Sequence, residues 1–126
     1  MVSVKLENLT KKFGKVVAVD NLNLNIRDGE FVALLGPSGC GKSTTLLMIA
    51  GIYKPTSGYI YFDDVIVNDL PPRDRNVGMV FQSYALYPHM SVFDNIAFPL
   101  KIKKVPRSVI EKKVREAAKL LRIEDL

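Results

Sequence analysis

A glycine-rich stretch between residues 36 and 44 combines the residue types that bind phosphate. It reads Gly-Pro-Ser-Gly-Cys-Gly-Lys-Ser-Thr and fits the phosphate-loop pattern G-x-x-x-x-G-K-[ST], with Gly36 and Gly41 as its fixed glycines. Glycines let backbone N–H groups converge on a triphosphate, and Lys42 supplies a mobile positive charge for the β- and γ-phosphates. The hydroxyl of Ser43 suits Mg²⁺, which prefers hard oxygen ligands. The residues predicted to contact the phosphates are Gly36, Ser38, Gly39, Cys40, Gly41, Lys42, Ser43 and Thr44.

Two apolar segments flank this predicted phosphate loop and would position it. Phe31–Leu35 is an unbroken apolar run, which predicts a strand buried on both faces. Thr44–Ala50 favours a helix, and Gly51 is a residue type that commonly ends one. A helix that begins at the loop directs the positive end of its dipole at the phosphates. The alternative is a glycine-rich turn that carries Lys-Ser by chance, and this strand–loop–helix order does not favour it.

Apolar periodicity and turn residues predict the remaining elements. They indicate strands at 2–7 and 22–26, a polar loop at 8–15 and a hairpin of 59–62 and 65–67. They also indicate a second buried parallel strand at Val77–Phe81, and two later helices whose first turns Ser91 and Ser108 would cap. Asp63 and Asp64 raise an alternative, because phosphate-loop enzymes use an apolar strand that ends in acids to hold Mg²⁺. The apolar run resumes at Val65, which favours a hairpin turn over a metal site.

The composition is that of one modest domain. The chain has 126 residues, of which 48% are hydrophobic and 25% charged, and this is enough for a core. Its net charge is +5, but the basic residues between Lys101 and Arg122 alternate with acids, which favours a solvated helix face over a polyanion site. The lone cysteine, Cys40, argues against a disulfide framework. No apolar stretch approaches the roughly 20 residues that span a bilayer.

The segments Gly36–Thr44 and Val77–Met90 together resemble the ATP-binding-cassette (ABC) ATPases. The second segment looks like the Q-loop region of that family, and the resemblance is greatest to the ATPase subunits of bacterial and archaeal carbohydrate importers, such as the maltose and trehalose systems. It implies an α/β phosphate-loop nucleoside triphosphate hydrolase fold with an antiparallel β subdomain. Residues 1–90 would form the ATP-binding core, and residues 91–126 would begin a helical subdomain. The family's Leu-Ser-Gly-Gly-Gln signature, its later strand ending in Asp-Glu and its switch histidine have no counterpart here, so we expect a truncated domain.

The same resemblance implies roles for residues outside the phosphate loop. Phe13 matches the aromatic that stacks on adenine, where the family more often has Tyr or Trp, and the alternative is a loop aromatic that covers the core. Gln82 matches the glutamine that meets Mg²⁺ and the attacking water, and together with Lys42 it is the predicted catalytic pair. The alternative for Gln82 is a strand-end amide satisfied by backbone. Tyr84–Met90 matches the surface that touches the membrane subunits, and His89 within it receives no proton-transfer role.

The resemblance therefore implies the nucleotide-binding subunit of an ABC importer, with ATP and Mg²⁺ as cofactors and a sugar as the transported solute. A second ATPase subunit, in a homodimer, and transmembrane permease subunits would be its partners, with no nucleic acid. It would lie peripherally on the cytoplasmic side of the cell membrane. Three alternatives stay open: a cassette ATPase of DNA repair or translation, a fragment that binds nucleotide without turnover, and a kinase with the same loop.

Overall fold

The first part of the chain forms a four-stranded antiparallel sheet in a computed structural model that describes residues 1–126. The strands are β1 (Val4–Phe13), β2 (Val16–Ile26), β3 (Ser57–Phe62) and β4 (Val65–Ile66), in the spatial order β2-β1-β3-β4. Helix α1 (Lys42–Ala50) lies between β2 and β3 in sequence, and a short 3₁₀ helix (Pro72–Asp74) follows β4. Residues 1–79 make up the first of two compact units. The second, Val80–Leu126, contains α2 (Val92–Ile102) and α3 (Arg107–Leu121).

The core of the first unit lies where the apolar face of the sheet meets α1. Leu6 of β1 is opposite Leu24 of β2 on one side and Ile60 of β3 on the other. Leu6 and Ile60 are fully buried together with Leu9 and with Met48 of α1. The predicted strands and the hairpin that turns at Asp63-Asp64 are confirmed, because side chains that alternate along a strand place one apolar face inward.

Strand β1 is longer than the sequence predicts, and the polar loop expected at residues 8–15 is wrong. The strand continues to Phe13, and the turn is confined to Gly14 and Lys15. The pairing of β1 with β2 shifts register between Leu6 and Leu9, next to Asn8, whose φ is 48°. Asparagine tolerates this left-handed conformation, so a bulge admits the polar residues without ending the strand.

The two segments predicted as buried parallel strands, Phe31–Leu35 and Val77–Phe81, are neither strands nor buried. Phe31 and Leu35 are 95% and 91% exposed, and Val80 is 84% exposed. Neither segment pairs with the sheet, whose members are β1 to β4 alone. A central strand needs hydrogen-bonding neighbours and cover on both faces. The described residues supply neither, so apolar composition alone does not make these segments strands.

The second unit is a pair of helices that pack through Ala97 of α2 and Ile110 and Val114 of α3. The predicted cap at Ser91 is confirmed, since its Oγ accepts a hydrogen bond from the Asp94 N–H at 3.0 Å. The cap predicted at Ser108 is wrong, because α3 begins at Arg107 after Pro106 and its start has no side-chain cap. No helix of the chain has both the length and the apolar character needed to cross a membrane.

Candidate functional site

The phosphate loop folds back on itself and leads directly into α1. Gly41 is the residue before the helix, with φ of 92°, and a Cβ there would lie 2.4 Å from the carbonyl oxygen of Ala18 in β2. A Cβ at Gly36 would lie 2.6 Å from the Cys40 Sγ. At Gly41 the close neighbour is backbone and φ is positive, so the loop can keep this path only with glycine there. At Gly36 the close neighbour is the Cys40 side chain, which can turn away.

The ammonium of Lys42 lies inside this loop. Its Nζ donates to the carbonyl oxygens of Gly36 at 2.6 Å and Pro37 at 2.8 Å, and it is 3.3 Å from the Cys40 Sγ. All of these contacts are exposed. A Lys ammonium has three donors, and charged phosphate oxygens are stronger acceptors than neutral carbonyls. The loop therefore holds one positive charge at its centre, available to an anion from solvent.

The amino-terminal end of α1 has no internal partner for its free N–H groups. The first backbone bond runs from the Thr45 N–H to the Gly41 carbonyl at 2.9 Å. The N–H groups of residues 42 to 44 precede it, and no side chain caps them and no acid lies in the first turn. These N–H groups and the helix dipole favour an anion here. The chemistry of this donor set fits a phosphate chain, with the exposed Ser43 hydroxyl as an oxygen ligand that Mg²⁺ accepts.

The carboxyl-terminal end of α1 is closed by contrast. Gly51 adopts φ of 88°, and its N–H donates to the carbonyls of Leu47 and Met48, as in a common helix stop. The guanidinium of Arg75 covers the same end, because its Nη1 donates to the carbonyl oxygens of Met48 at 2.9 Å and Ile49 at 3.0 Å. The sequence analysis missed Arg75, which lies in a charged, proline-rich connection that reads as surface.

Phe13 lies at the end of β1 and is half-exposed. Its ring meets Tyr53 edge to face at 5.4 Å between centroids, and the Lys11 Nζ lies 5.0 Å from its centre. Phe13 pairs with Val16, and the Ala18 carbonyl that contacts the phosphate loop is two residues further along β2. At about 3.4 Å per residue, Val16 and Ala18 are separated by about 7 Å along β2. The role predicted for Phe13 stays a prediction.

Gln82 and the segment Tyr84–Met90 belong to the second unit. Gln82 is exposed in a turn that the Tyr84 N–H closes on the Phe81 carbonyl at 2.9 Å, and its side chain makes no hydrogen bond within the chain. Tyr84 is also exposed, at 75%, whereas the Asn95 amide fixes the end of the segment by bonding the backbone of Tyr87 and Met90. His89 lies beside the ring of Tyr87. The roles predicted for these residues stay predictions.

Asp63 and Asp64 occupy the hairpin turn between β3 and β4. The Asp63 Oδ1 accepts hydrogen bonds from the Ser3 N–H and hydroxyl at 3.0 and 3.2 Å, so this carboxylate fastens the turn to the start of β1. No group of three or more His, Cys, Asp or Glu side chains in the chain is arranged to hold a metal ion. The preference for a turn at Asp63-Asp64 is confirmed.

Comparison with known protein families decides the affiliation. The family model described as "ABC transporter" matches residues 19–126. The chain belongs to the ABC transporter family. The trehalose/maltose import ATP-binding protein of Thermococcus litoralis is 56% identical over the whole chain, and the oligosaccharides import ATP-binding protein of Bacillus subtilis is 52% identical over 99% of it. The chain spans only 36% and 34% of those proteins, about a third of the length of the curated relatives it matches.

Solved ABC cassettes share the fold. A dimeric ATP-binding cassette in a post-hydrolysis state, bound to ADP and Pi, matches with a TM-score of 0.82 and 40% identity. The match covers 92% of this chain and 56% of that one. The predicted family and the predicted phosphate-loop fold class are thereby confirmed for this ABC transporter chain. The division into an ATP-binding core of residues 1–90 and a helical subdomain that begins at residue 91 stays a prediction.

Proposed function

We propose that this ABC transporter chain is the nucleotide-binding part of an importer ATPase, and that it binds MgATP at the start of α1. The observation that carries the proposal is the open amino-terminal end of α1, where free N–H groups and the Lys42 ammonium converge in a loop that only glycine permits. The start of α3 also lacks a side-chain cap, but its first residue, Arg107, is paired with Glu111. A phosphate chain is the ligand that satisfies both the N–H groups and the ammonium at the start of α1.

Within this site each residue would have a distinct role. Lys42 exchanges its two carbonyl partners for β- and γ-phosphate oxygens, and the backbone at Ser38, Gly39, Cys40 and Gly41 donates to the same phosphates. The N–H of Thr44 adds a donor from the first turn of α1. Ser43 supplies an oxygen to Mg²⁺, which when bound neutralises charge that develops on the phosphates.

Phe13 would form one face of the base site. Stacking on an aromatic ring contributes about 1–3 kcal/mol per base and does not depend on base identity. Part of the Phe13 ring already faces Tyr53 and the Lys11 ammonium. A base would therefore stack on the face that these two side chains leave exposed, with its phosphates reaching along β2 towards Gly41.

Turnover and transport are proposed for the complete protein. Gln82 would orient the attacking water and complete the Mg²⁺ shell, and Tyr84–Met90 would contact transmembrane permease subunits from the cytoplasmic side of the membrane. The exposed Tyr84 and Leu86 support such a contact surface. A second copy of the ATPase subunit is proposed as a further partner, supported by the dimeric cassettes among the structural relatives. The solute is proposed to be a sugar, because relatives are named for import of trehalose, maltose and oligosaccharides, although one from Bordetella avium is named for sn-glycerol-3-phosphate.

The test uses the protein expressed from its complete reading frame. Calorimetric titration with Mg-AMP-PNP measures binding, and phosphate release measures turnover with and without Gln82→Ala. We expect tight binding and a turnover that Gln82→Ala lowers while binding persists. Binding without phosphate release would favour the non-catalytic alternative. Phosphate release without co-purification of a membrane subunit would favour a cassette ATPase outside transport, and transfer of phosphate to an acceptor would favour a kinase.

A further inference from the structure

Arg75 is a buried cation without a carboxylate partner. It is only 6% exposed, and it takes part in none of the ion pairs of the chain. Its hydrogen bonds all go to backbone carbonyls: Met48 and Ile49 at the end of α1, Leu70 at 2.8 Å from Nε, and Asn68 at 3.4 Å from Nη2. Burial lowers the pKa of Arg75 from its ordinary value, but a guanidinium stays protonated in proteins.

Burying a charge in this position costs free energy of folding, which its contacts in the fold must offset. An unpaired buried ion loses its hydration, and an apolar side chain of similar volume is often at least as stable. The carbonyl end of α1 carries the negative end of the helix dipole, which offsets part of the cost. The planar guanidinium also reaches two separate groups of carbonyls at once, which no apolar side chain and no ammonium can do.

The second group of carbonyls connects α1 to the sheet. Asn68, whose carbonyl faces Arg75, accepts a hydrogen bond from the Ile60 N–H at 2.8 Å and donates to the Gly58 carbonyl at 3.0 Å, both in β3. The connection runs from the last turn of α1 through Arg75 and Asn68 into β3. Gly51 leaves room for it, since a Cβ there would lie 2.7 Å from the Arg75 Nε.

We propose that Arg75 is a positioning residue for the phosphate site, which acts by fixing the carboxyl-terminal end of α1 to strand β3. The helix has nine residues and is about 13 Å long, so it transmits a tilt at one end to the other. Lys42 and the free N–H groups lie at that other end. Arg75 therefore sets the direction in which they meet a phosphate chain. The inference rests on the proposed function.

The test compares Arg75→Met and Arg75→Lys with Ile60→Val in the protein expressed from its complete reading frame. Ile60→Val loses buried volume in the same unit, and it keeps both the backbone hydrogen bond from Ile60 to Asn68 and the carbonyls of α1. Titrations with MgATP and with adenosine are run well below the midpoint of thermal unfolding. We expect Arg75→Met to weaken MgATP binding about tenfold, the size of a favourable helix-end interaction, and to leave adenosine binding unchanged. Arg75→Lys should lose less, because an ammonium can still reach the end of the helix.

A purely structural role of Arg75 would make the affinities of Arg75→Met for MgATP and for adenosine fall together, in step with its stability. Unchanged MgATP affinity in folded Arg75→Met, or an equal loss in Ile60→Val, overturns the inference. If Arg75→Met does not fold, Arg75→Lys gives the same comparison. The rate of Cys40 alkylation without nucleotide reports the far end of α1 directly, and we expect Arg75→Met to change it. Failure of the unsubstituted protein to bind MgATP would instead refute the proposed function, while the alkylation rates would still test the connection through α1.

Discussion

The two ends of α1 are built in opposite ways. At the carboxyl-terminal end, Gly51 and the buried Arg75 satisfy the last carbonyls inside the fold. At the amino-terminal end, the first N–H groups have no capping side chain and Lys42 contacts only exposed carbonyls. The difference within one helix separates the part that maintains the fold from the part that is proposed to bind a ligand.

The start of α2 provides a second reference. Ser91 caps it through the Asp94 N–H, and Asp94 places an acid in its first turn. These are the usual means by which a helix satisfies its own amino-terminal end. The start of α1 has neither, and the start of α3 also lacks both, but only α1 follows a glycine-rich loop that holds a lysine ammonium.

The largest effect is expected from Lys42→Ala, which removes the charge from the open end. We expect MgATP affinity to fall by about 100-fold, the value of a charge-assisted hydrogen bond of roughly 3 kcal/mol. The thermal midpoint should change little, because water can replace the ammonium at the exposed carbonyls of Gly36 and Pro37. Isothermal titration and circular dichroism measure the two quantities.

Lys54→Ala is the matched control for that experiment. Lys54 carries the same charge beyond the closed end of α1 and forms an exposed ion pair with Asp69 at 2.9 Å, which contributes little to stability. Its MgATP affinity should equal that of the unsubstituted protein. Equal losses in both variants would mean that general charge attraction, and not the phosphate loop, binds the nucleotide.

A comparison of Gly51→Ala with Gly39→Ala should separate stability from binding. Both glycines have positive φ, which costs alanine about 1–2 kcal/mol. At Gly51 the new Cβ would also meet the Arg75 guanidinium, whereas the space around Gly39 is open. We therefore expect Gly51→Ala to lower the free energy of unfolding by about 2–3 kcal/mol, and Gly39→Ala by less. Urea unfolding checks this order, and the reverse order would contradict the closed end described here.

Alkylation of Cys40 measures occupancy of the open end. Cys40 is exposed and lies beside Lys42 in the phosphate loop. Saturating MgATP would cover the thiol, so only the small fraction of empty sites would react. We therefore expect the reaction with iodoacetamide to slow by about tenfold. Adenosine lacks phosphates and should give no protection. Mass spectrometry of the labelled peptide provides the rate, and equal protection by adenosine would place the phosphates elsewhere.

The smallest effect concerns the capped start of α2. The side chain of Lys101 donates to Asp94 at 2.5 Å and, with a smaller contribution from Ser91, lowers the pKa of that carboxyl. A group whose pKa is lower in the folded state adds stability above its ordinary pKa of about 4, and this stability is lost as the pH falls through the lowered value. Asp94→Asn should therefore reduce the amount of stability that the protein loses as the pH falls below about 4. Thermal midpoints measured between about pH 2 and 6 test this. An unchanged slope of the midpoint against pH would contradict it.

Local chemistry is what the sequence predicts well in this chain. The phosphate loop, the helix that ends at Gly51 and the cap at Ser91 each depend on a few adjacent residues whose backbone preferences point the same way. The hairpin at Asp63-Asp64 belongs to the same class. The family resemblance added the fold class, which the described sheet alone would not identify.

Features that depend on distant partners were not predictable. Phe31–Leu35 and Val77–Phe81 have the composition of central strands, but a strand exists only where another strand lies beside it. Arg75 shows the opposite error, because charge and neighbouring prolines indicate a surface loop. Its burial follows from carbonyls at 48, 49, 68 and 70, and no local pattern links these to position 75.

The exposed run at Phe31–Leu35 also bears on how the chain behaves in concentrated solution. Five consecutive uncharged residues with bare backbone edges and no proline form a segment that can associate with copies of itself. The net charge of +5 opposes such encounters by repulsion between molecules. Salt screens that repulsion, with a Debye length of about 8 Å at physiological ionic strength. We therefore expect the colloidal stability of this polypeptide to be greatest in dilute, low-salt buffer and to decline as the protein or the salt concentration rises.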